Sequence, residues 1–433
     1  MRRKRKNNSA DGLAEAERVA ANGLLHRRAF LGGGASLGAA LTGYTLVDPA
    51  SAAPLPVEDW MRIPGAPLLP YDRPSKYEAK TTRGTWASRT GFDGVGSLRT
   101  PHHLLTGTIT PSGLHFSRIH SGVPDIDPNK HRLLIHGLVK RPLVFTLDAL
   151  TRYPMESRIY FLECGGNSEL MYRDKPAQVG VQRLCGQMAC SEWTGIKLSV
   201  LLDEAGIDPK AKWISAEGAD ASGMTRSVPL AKCMDDAVLA LYQNGERLMP
   251  SIGYPMRLLL PGYEGNSQVK WLRRIRVAEG PTMSRDETSK YTMTRPDGKS
   301  VQFVFPIEAK SVITHPSPEL GMKAPGLYEI SGLAWSGYGK VAKVEVSADG
   351  GKSWAEAALT QPVLSLALTR FRLPWHWDGS PAVLQSRCTD ETGMVQPTRE
   401  ALIARRGSRA NYHANAIISW GVSAKGEVKH VYV

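Results

Sequence analysis

Paired cysteines are what this chain lacks most plainly. Five cysteines, Cys164, Cys185, Cys190, Cys233 and Cys388, are spread over 433 residues, and no two of them form a C-x-x-C unit. The missing unit excludes a c-type haem attachment site, which needs C-x-x-C-H, so no haem of that kind is expected in this chain. An odd count also leaves at least one thiol unpaired. A G-x-G-x-x-G turn and a complete G-x-x-x-x-G-K-[ST] loop are absent too, which argues against an ordinary dinucleotide or P-loop nucleotide site. No zinc-finger, RNA-recognition or basic-helix pattern accompanies the formal charge of +13. Nucleic acid is therefore not an expected partner.

The remaining composition is that of a soluble globular protein, with 42% hydrophobic and 22% charged residues. The length implies two or three domains. The 42 Gly and 29 Pro indicate many turns and much β structure. Part of the charge is terminal: the first fifty residues hold eight Lys and Arg against four Asp and Glu, which leaves +9 on the remainder. Such a surface suits an anionic substrate, an anionic cofactor or an acidic protein partner.

Residues 1–52 read as an export signal. His26-Arg27-Arg28-Ala29-Phe30-Leu31 is a twin-arginine motif, an uncharged stretch runs from Ala29 to Val47, and Ala50-Ser51-Ala52 is a small-residue cleavage site. The uncharged stretch just reaches spanning length but is rich in Gly, Ala, Ser and Thr, a weak anchor. The expected location is the periplasm, with no membrane span in the mature protein. Residues 53–100 form a Pro-, Gly- and Arg-rich arm without periodicity.

From 101 to about 300, strands and helices mix without a βαβ repeat, as in an α+β domain. Leu114 to His120 alternates, placing Phe116, Arg118 and His120 on one strand face, where two cationic or donor groups could receive an anion. Arg158 to Glu163 reads as a buried strand that stops at Cys164, followed by Gly165, Gly166 and Asn167. A thiol at a strand end beside backbone that can take positive φ suits a soft metal; burial as an ordinary core cysteine is the alternative. Leu198 to Ala205 is amphipathic and stops at Gly206, and Trp193 belongs to the core. Residues 301–433 show short strands with regular turn signals, as in a β-sandwich, and no catalytic constellation.

With these segments placed, the chain resembles the sulfite oxidase family of molybdopterin enzymes from about residue 100 onward. The resemblance rests on Phe116-Ser117-Arg118-Ile119-His120, Cys164-Gly165-Gly166-Asn167 and Gly253-Tyr254-Pro255-Met256-Arg257. Pro261-Gly262, Val269-Lys270-Trp271-Leu272 and Lys310-Ser311-Val312-Ile313 extend it. It implies a molybdopterin-binding domain followed by an immunoglobulin-like dimerisation domain, with mononuclear oxo-molybdenum on the pterin dithiolene and on Cys164. It also implies that Phe116, Ser117, Arg118, Ile119 and His120 line the cofactor and that Asp220, Arg257, Gln268 and Lys270 hold the pterin and its phosphate. Arg118 and Tyr291 would serve the substrate.

The chain departs from that family where arginines usually follow the Cys-Ala-Gly-Asn segment; here stand Ser168 and Glu169. Arg183 occupies the place of an active-site tryptophan, and Ile252 that of a pterin-binding histidine. Cys190 to Gly195, Glu287 to Tyr291 and Glu308 to Ile313 are similar to the catalytic subunits of sulfane dehydrogenases within the family. That likeness implies carrier-bound sulfane sulfur as substrate, a dihaem c-type cytochrome subunit as electron acceptor, and a homodimer within a heterotetramer. Free sulfite with a cytochrome acceptor is the alternative.

Overall fold

A computed structural model describes residues 18–26, 57–64, 66, 69–71, 73–87 and 94–433. The twin-arginine motif from Arg27 onward, the uncharged stretch and the cleavage site lie outside the described residues. No helix among the described residues is long and apolar enough to cross a membrane.

The α+β expectation holds, with β structure dominant. One five-stranded sheet runs Leu143–Phe145, Leu133–Gly137, Leu272–Ala278, Trp213–Gly218, Thr225–Pro229, and its only parallel pair is Leu272–Ala278 on Leu133–Gly137. A second sheet carries Glu156–Glu163 against Met188–Lys197, then Val238–Gln243, which also pairs with Arg257–Leu259. The helix Leu198–Ala205 buries Leu198, Leu201, Leu202 and Ala205 against the first sheet's core, and Gly206 caps it at φ 72°. Each such leucine contributes roughly 1.5–3 kcal/mol by leaving water.

The arm contributes more than a wrapping. Its strands Gly84–Ala87 and Gly96–Arg99 extend a small sheet onto Ser117–Ile119, carrying Arg99 to the strand that bears Arg118. The alternation read over Leu114 to His120 yields only a three-residue strand, because a 3₁₀ turn takes Ser112–Leu114. The polar stretch after Cys164 also has structure, a 3₁₀ turn at Glu169–Tyr172 and a helix at Val181–Cys185.

The C-terminal unit is a sandwich of a four-stranded and a five-stranded sheet. The first is ordered Lys310–His315, Gly326–Trp335, Thr369–Trp377, Ala358–Leu359. The second is ordered Ala355–Glu356, Val341–Ser347, Ala382–Asp390, Ser419–Val422, Val428–Val431. Trp335, Trp375, Trp420 and Phe371 fill its interior, which continues into Phe161, Met171 and Leu184 of the preceding unit. Residues 18–25 fold back onto this sandwich. Leu24 is fully buried and bridges to Trp375, the His376 N–H donates to the Gly23 carbonyl at 2.9 Å, and the Leu25 N–H donates to the Pro374 carbonyl at 3.1 Å.

Candidate active site

Cys164 ends the strand Glu156–Glu163 and faces a cavity enclosing about 680 Å³ of space between atoms, part of it open to solvent. The turn is fixed by its backbone. The Cys164 N–H donates to the Gln187 carbonyl at 2.9 Å, and the Asn167 N–H returns to the Cys164 carbonyl at 2.8 Å. Neither Gly165 nor Gly166 takes a positive φ; the left-handed residue is Ser168, at φ 65°. Gly165 is needed for space instead, since a Cβ there would lie 2.6 Å from Glu264 Oε2.

Ten of the eleven residues expected at the site line this cavity: Cys164, Phe116, Ser117, Arg118, His120, Asp220, Arg257, Gln268, Lys270 and Tyr291. Ile119 does not. Its side chain is buried away from the lining, and its carbonyl accepts from Arg118. The wall also holds residues that no linear pattern singled out, among them His115, Met224, Ser251 and Asn266.

At the inner end two cations lie together, Arg257 buried and Lys270 partly buried. Lys270 Nζ donates to Ser117 Oγ at 3.2 Å and to the Arg118 and Ser251 carbonyls at 3.1 Å. Arg257 donates to the Ile252 and Gln268 carbonyls at 2.9 and 3.1 Å. Neither forms an ion pair with a carboxylate among the described residues. Burial pushes Arg257 down to about 9, and burial, followed by repulsion from Arg257, lowers Lys270 well below its ordinary value. Buried cations without an anion are costly, so this end is built for an anionic group. Asp220 Oδ1, Arg257 Nε, Asn266 Oδ1 and His115 Nε2 are buried without hydrogen-bond partners. Gln268 differs in being committed, its amide bonding the Tyr263 carbonyl at 2.7 Å and the Leu260 N–H at 3.3 Å.

These observations fit a molybdopterin. Its phosphate would meet Arg257 and Lys270, and its polar ring edges would meet the unpaired donors and acceptors. A single thiol in the cavity fits a metal whose other donors come from the cofactor. Burial pushes the Cys164 thiol up, while the Gly166 amide, Arg118 and Arg99 act in the opposite sense.

The outer end is a vestibule lined by Arg99, Arg118, His120, Glu169, Lys290, Tyr291 and Tyr412, among others, above Cys164. Tyr291 Oη lies 3.2 Å from His120 Nε2, its ring is 5.5 Å from that of Tyr412, and the Arg226 guanidinium sits 4.7 Å over its face. Burial, followed by repulsion from Arg118, lowers His120 to about 4, so it is neutral at pH 7. Of the two residues in place of the family's arginines, only Glu169 reaches the vestibule. Ser168 is fully buried, its Oγ 3.1 Å from Cys185 Sγ. Glu169 Oε1 accepts from both terminal nitrogens of Arg183 at 3.0 Å and lies 3.7 Å from Arg99 Nη2.

The C-terminal unit, in which no catalytic constellation was expected, nevertheless adds lining residues and backbone contacts to the site. Its residues 410–415 reach across so that Tyr412 lines the vestibule and the His413 N–H donates to the Gly165 carbonyl at 2.8 Å. His413 Nε2 also lies 3.0 Å from Glu264 Oε2.

Fold and site together define a molybdopterin oxidoreductase with an appended dimerisation unit. Residues 120–285 match the oxidoreductase molybdopterin binding domain, and residues 301–419 match the Mo-co oxidoreductase dimerisation domain. The chain belongs to the sulfite oxidase family of molybdopterin oxidoreductases. It is 33% identical over 279 residues to the mitochondrial sulfite oxidase of Mus musculus, covering 60% of this chain and 51% of that protein. It is 30% identical over 340 residues to the NADH nitrate reductase of Solanum lycopersicum, covering 70% of this chain and 37% of that one. The chain thus spans about two fifths to a half of the length of these curated relatives. Among solved structures, the crystal structure of the sulfane dehydrogenase SoxCD from Paracoccus pantotrophus matches with a TM-score of 0.85 and 44% identity. That match covers 88% of this chain and all of the matched one.

Proposed function

We propose that this chain is the molybdenum-bearing catalytic subunit of an exported sulfane dehydrogenase. It would oxidise sulfane sulfur held on a carrier protein in periplasmic thiosulfate oxidation and pass electrons to a separate c-type, dihaem cytochrome subunit. The observation that carries the reading is the 44% identity to SoxCD across the whole of the matched chain. The rebuilt vestibule supports it, with Glu169 and Arg183 in place of an arginine and a tryptophan. In this reading the C-terminal sandwich pairs two copies within a heterotetramer, and the twin-arginine motif directs the folded chain to the periplasm.

Cys164 supplies the thiolate that anchors the metal. Arg257 and Lys270 hold the cofactor phosphate, while Asp220, Gln268, Phe116, Ser117, Arg118 and His120 form the wall around the pterin. When bound, the molybdenum centre supplies two-electron oxidation of a sulfur lone pair with oxygen drawn from water. Arg118 orients the developing sulfur–oxygen anion and stabilises its charge. Neutral His120, next to Tyr291 Oη, fixes the phenol so that it can donate toward the same anion.

The test has two parts. Metal analysis of protein exported from a cofactor-competent host should find close to one molybdenum per chain, and Cys164→Ser should lose activity while keeping its unfolding transition. Turnover is then compared for free sulfite and for thiosulfate supplied with its carrier and cytochrome. Brisk oxidation of sulfite alone would favour the second reading, a sulfite dehydrogenase with a cytochrome acceptor, which the sulfite oxidase relatives support.

A further inference from the structure

Two arginines, Arg99 on the vestibule wall and Arg183 behind it, converge on the Glu169 carboxylate. Arg183 gives both terminal nitrogens to Glu169 Oε1 at 3.0 Å, and Arg99 approaches the same oxygen at 3.7 Å. Arg99 is further committed through a 2.7 Å bond to the Arg183 carbonyl. The Trp86 ring lies against both, 5.2 Å from Arg99 and 5.7 Å from Arg183, and holds the planar groups in place. Glu169 itself lines the vestibule above Cys164; Arg183 does not. An incoming anion therefore meets the carboxylate before it meets Arg183. The other carboxylate oxygen, Oε2, is buried and accepts no hydrogen bond.

We propose that Glu169 is a specificity-determining residue that excludes small free dianions such as sulfite and sulfate from the vestibule and favours a sulfur atom carried on a peptide. This deepens the function proposed above and rests on it for the identity of the favoured substrate. A free dianion brings only charge and acceptors, so it is repelled by the carboxylate. A peptide-borne sulfur brings amide N–H donors and less charge. Selectivity here comes from a repulsive element placed against the competitor as much as from attraction of the substrate. Arg118 and Lys290 remain to steer the reacting end, Lys290 being only loosely paired with Asp286 at 3.6 Å.

The experiment uses the metal-loaded full chain and sulfate as an unreactive probe, followed by tryptophan fluorescence or calorimetry. Glu169→Gln keeps the volume but removes the charge, and should tighten sulfate binding about tenfold or more, with a steeper dependence on ionic strength. Arg183→Gln leaves the carboxylate less neutralised and should weaken sulfate binding. With free sulfite, Glu169→Gln should lower KM and leave kcat close to wild type. Opposite shifts in the two variants support the proposal. Sulfate affinities within twofold of wild type, or weakened in both variants alike, overturn it, since a residue that merely props up the fold would impair both. Molybdenum content and the unfolding midpoint are measured on each variant, so that loss of the site is recognised. Sulfate binding needs no turnover; if neither enzyme oxidised any sulfur compound, the proposed function would fail while the role of Glu169 was still decided.

Discussion

Beneath the Cys164 turn lies a buried ion pair whose removal has a calculable cost. Lys310 Nζ donates to Glu163 Oε1 at 2.8 Å, with only 2% and 3% of the two side chains exposed. Glu163 Oε1 also accepts from Asn167 Nδ2 at 2.8 Å, and Oε2 accepts from Trp335 Nε1 at 2.6 Å. The carboxylate next to Cys164 is thus neutralised by a lysine of the C-terminal sandwich. Lys310→Met would leave that carboxylate buried without a counter-charge, a loss of about 3–5 kcal/mol. Adding Glu163→Gln removes the orphaned charge while keeping an acceptor for Trp335, and should recover at least half of the loss. Urea unfolding of the two variants and wild type, followed by tryptophan fluorescence, reads the difference. Molybdenum content should fall in Lys310→Met and return in the double variant. A loss under about 1 kcal/mol, the range of exposed pairs, would refute the argument, as would a double variant less stable than the single one.

Two other perturbations test separate parts of the molecule. Gly165→Ala forces a Cβ to within 2.6 Å of Glu264 Oε2, so it should cost about 1–3 kcal/mol and lower molybdenum retention on dialysis; Gly166→Ala, with nothing nearer than 3.9 Å, should do neither. Burial pushes Glu308 up, but the guanidiniums of Arg406 and Arg405 outweigh it and hold the carboxyl below its usual 4.5. Its contribution is therefore complete above that value and is lost as pH falls through the lower folded value. Wild type should exceed Glu308→Gln by roughly 1–2 kcal/mol near neutrality, kept modest because Arg405 is half exposed, and the two should converge in acid.

Much of the fold was legible in the sequence because its signals were local. The helix Leu198–Ala205 and its Gly206 cap follow from a 3.6-residue stripe ending at a residue free to take φ 72°. The Asn244-Gly245 turn likewise falls between the paired strands Val238–Gln243 and Glu246–Arg247. Legibility failed where distant segments meet. Arg99 enters through an arm that has no periodicity of its own, and Tyr412 and His413 arrive from a loop of the sandwich. The strand that follows Gln268 starts only at Leu272, because Trp271 sits at φ 53° with its Nε1 donating to the Pro250 carbonyl. The glycines after Cys164 were read as conformational devices, whereas Gly165 makes room for Glu264. No local pattern could carry that, since Glu264 is about a hundred residues away.

The reach of residues 410–415 to the Cys164 turn also sets an order of events in making the protein. The carbonyl of Gly165 waits for the N–H of His413, about 250 residues later, which at roughly 5–20 residues per second is about 12–50 s of synthesis. Lys310, which neutralises Glu163, is also made long after the turn it supports. A nascent chain carrying only the molybdopterin-binding residues therefore has the thiol but not the frame that holds it. The frame of the Cys164 turn is therefore complete only when residues 410–415 have been made and have reached it.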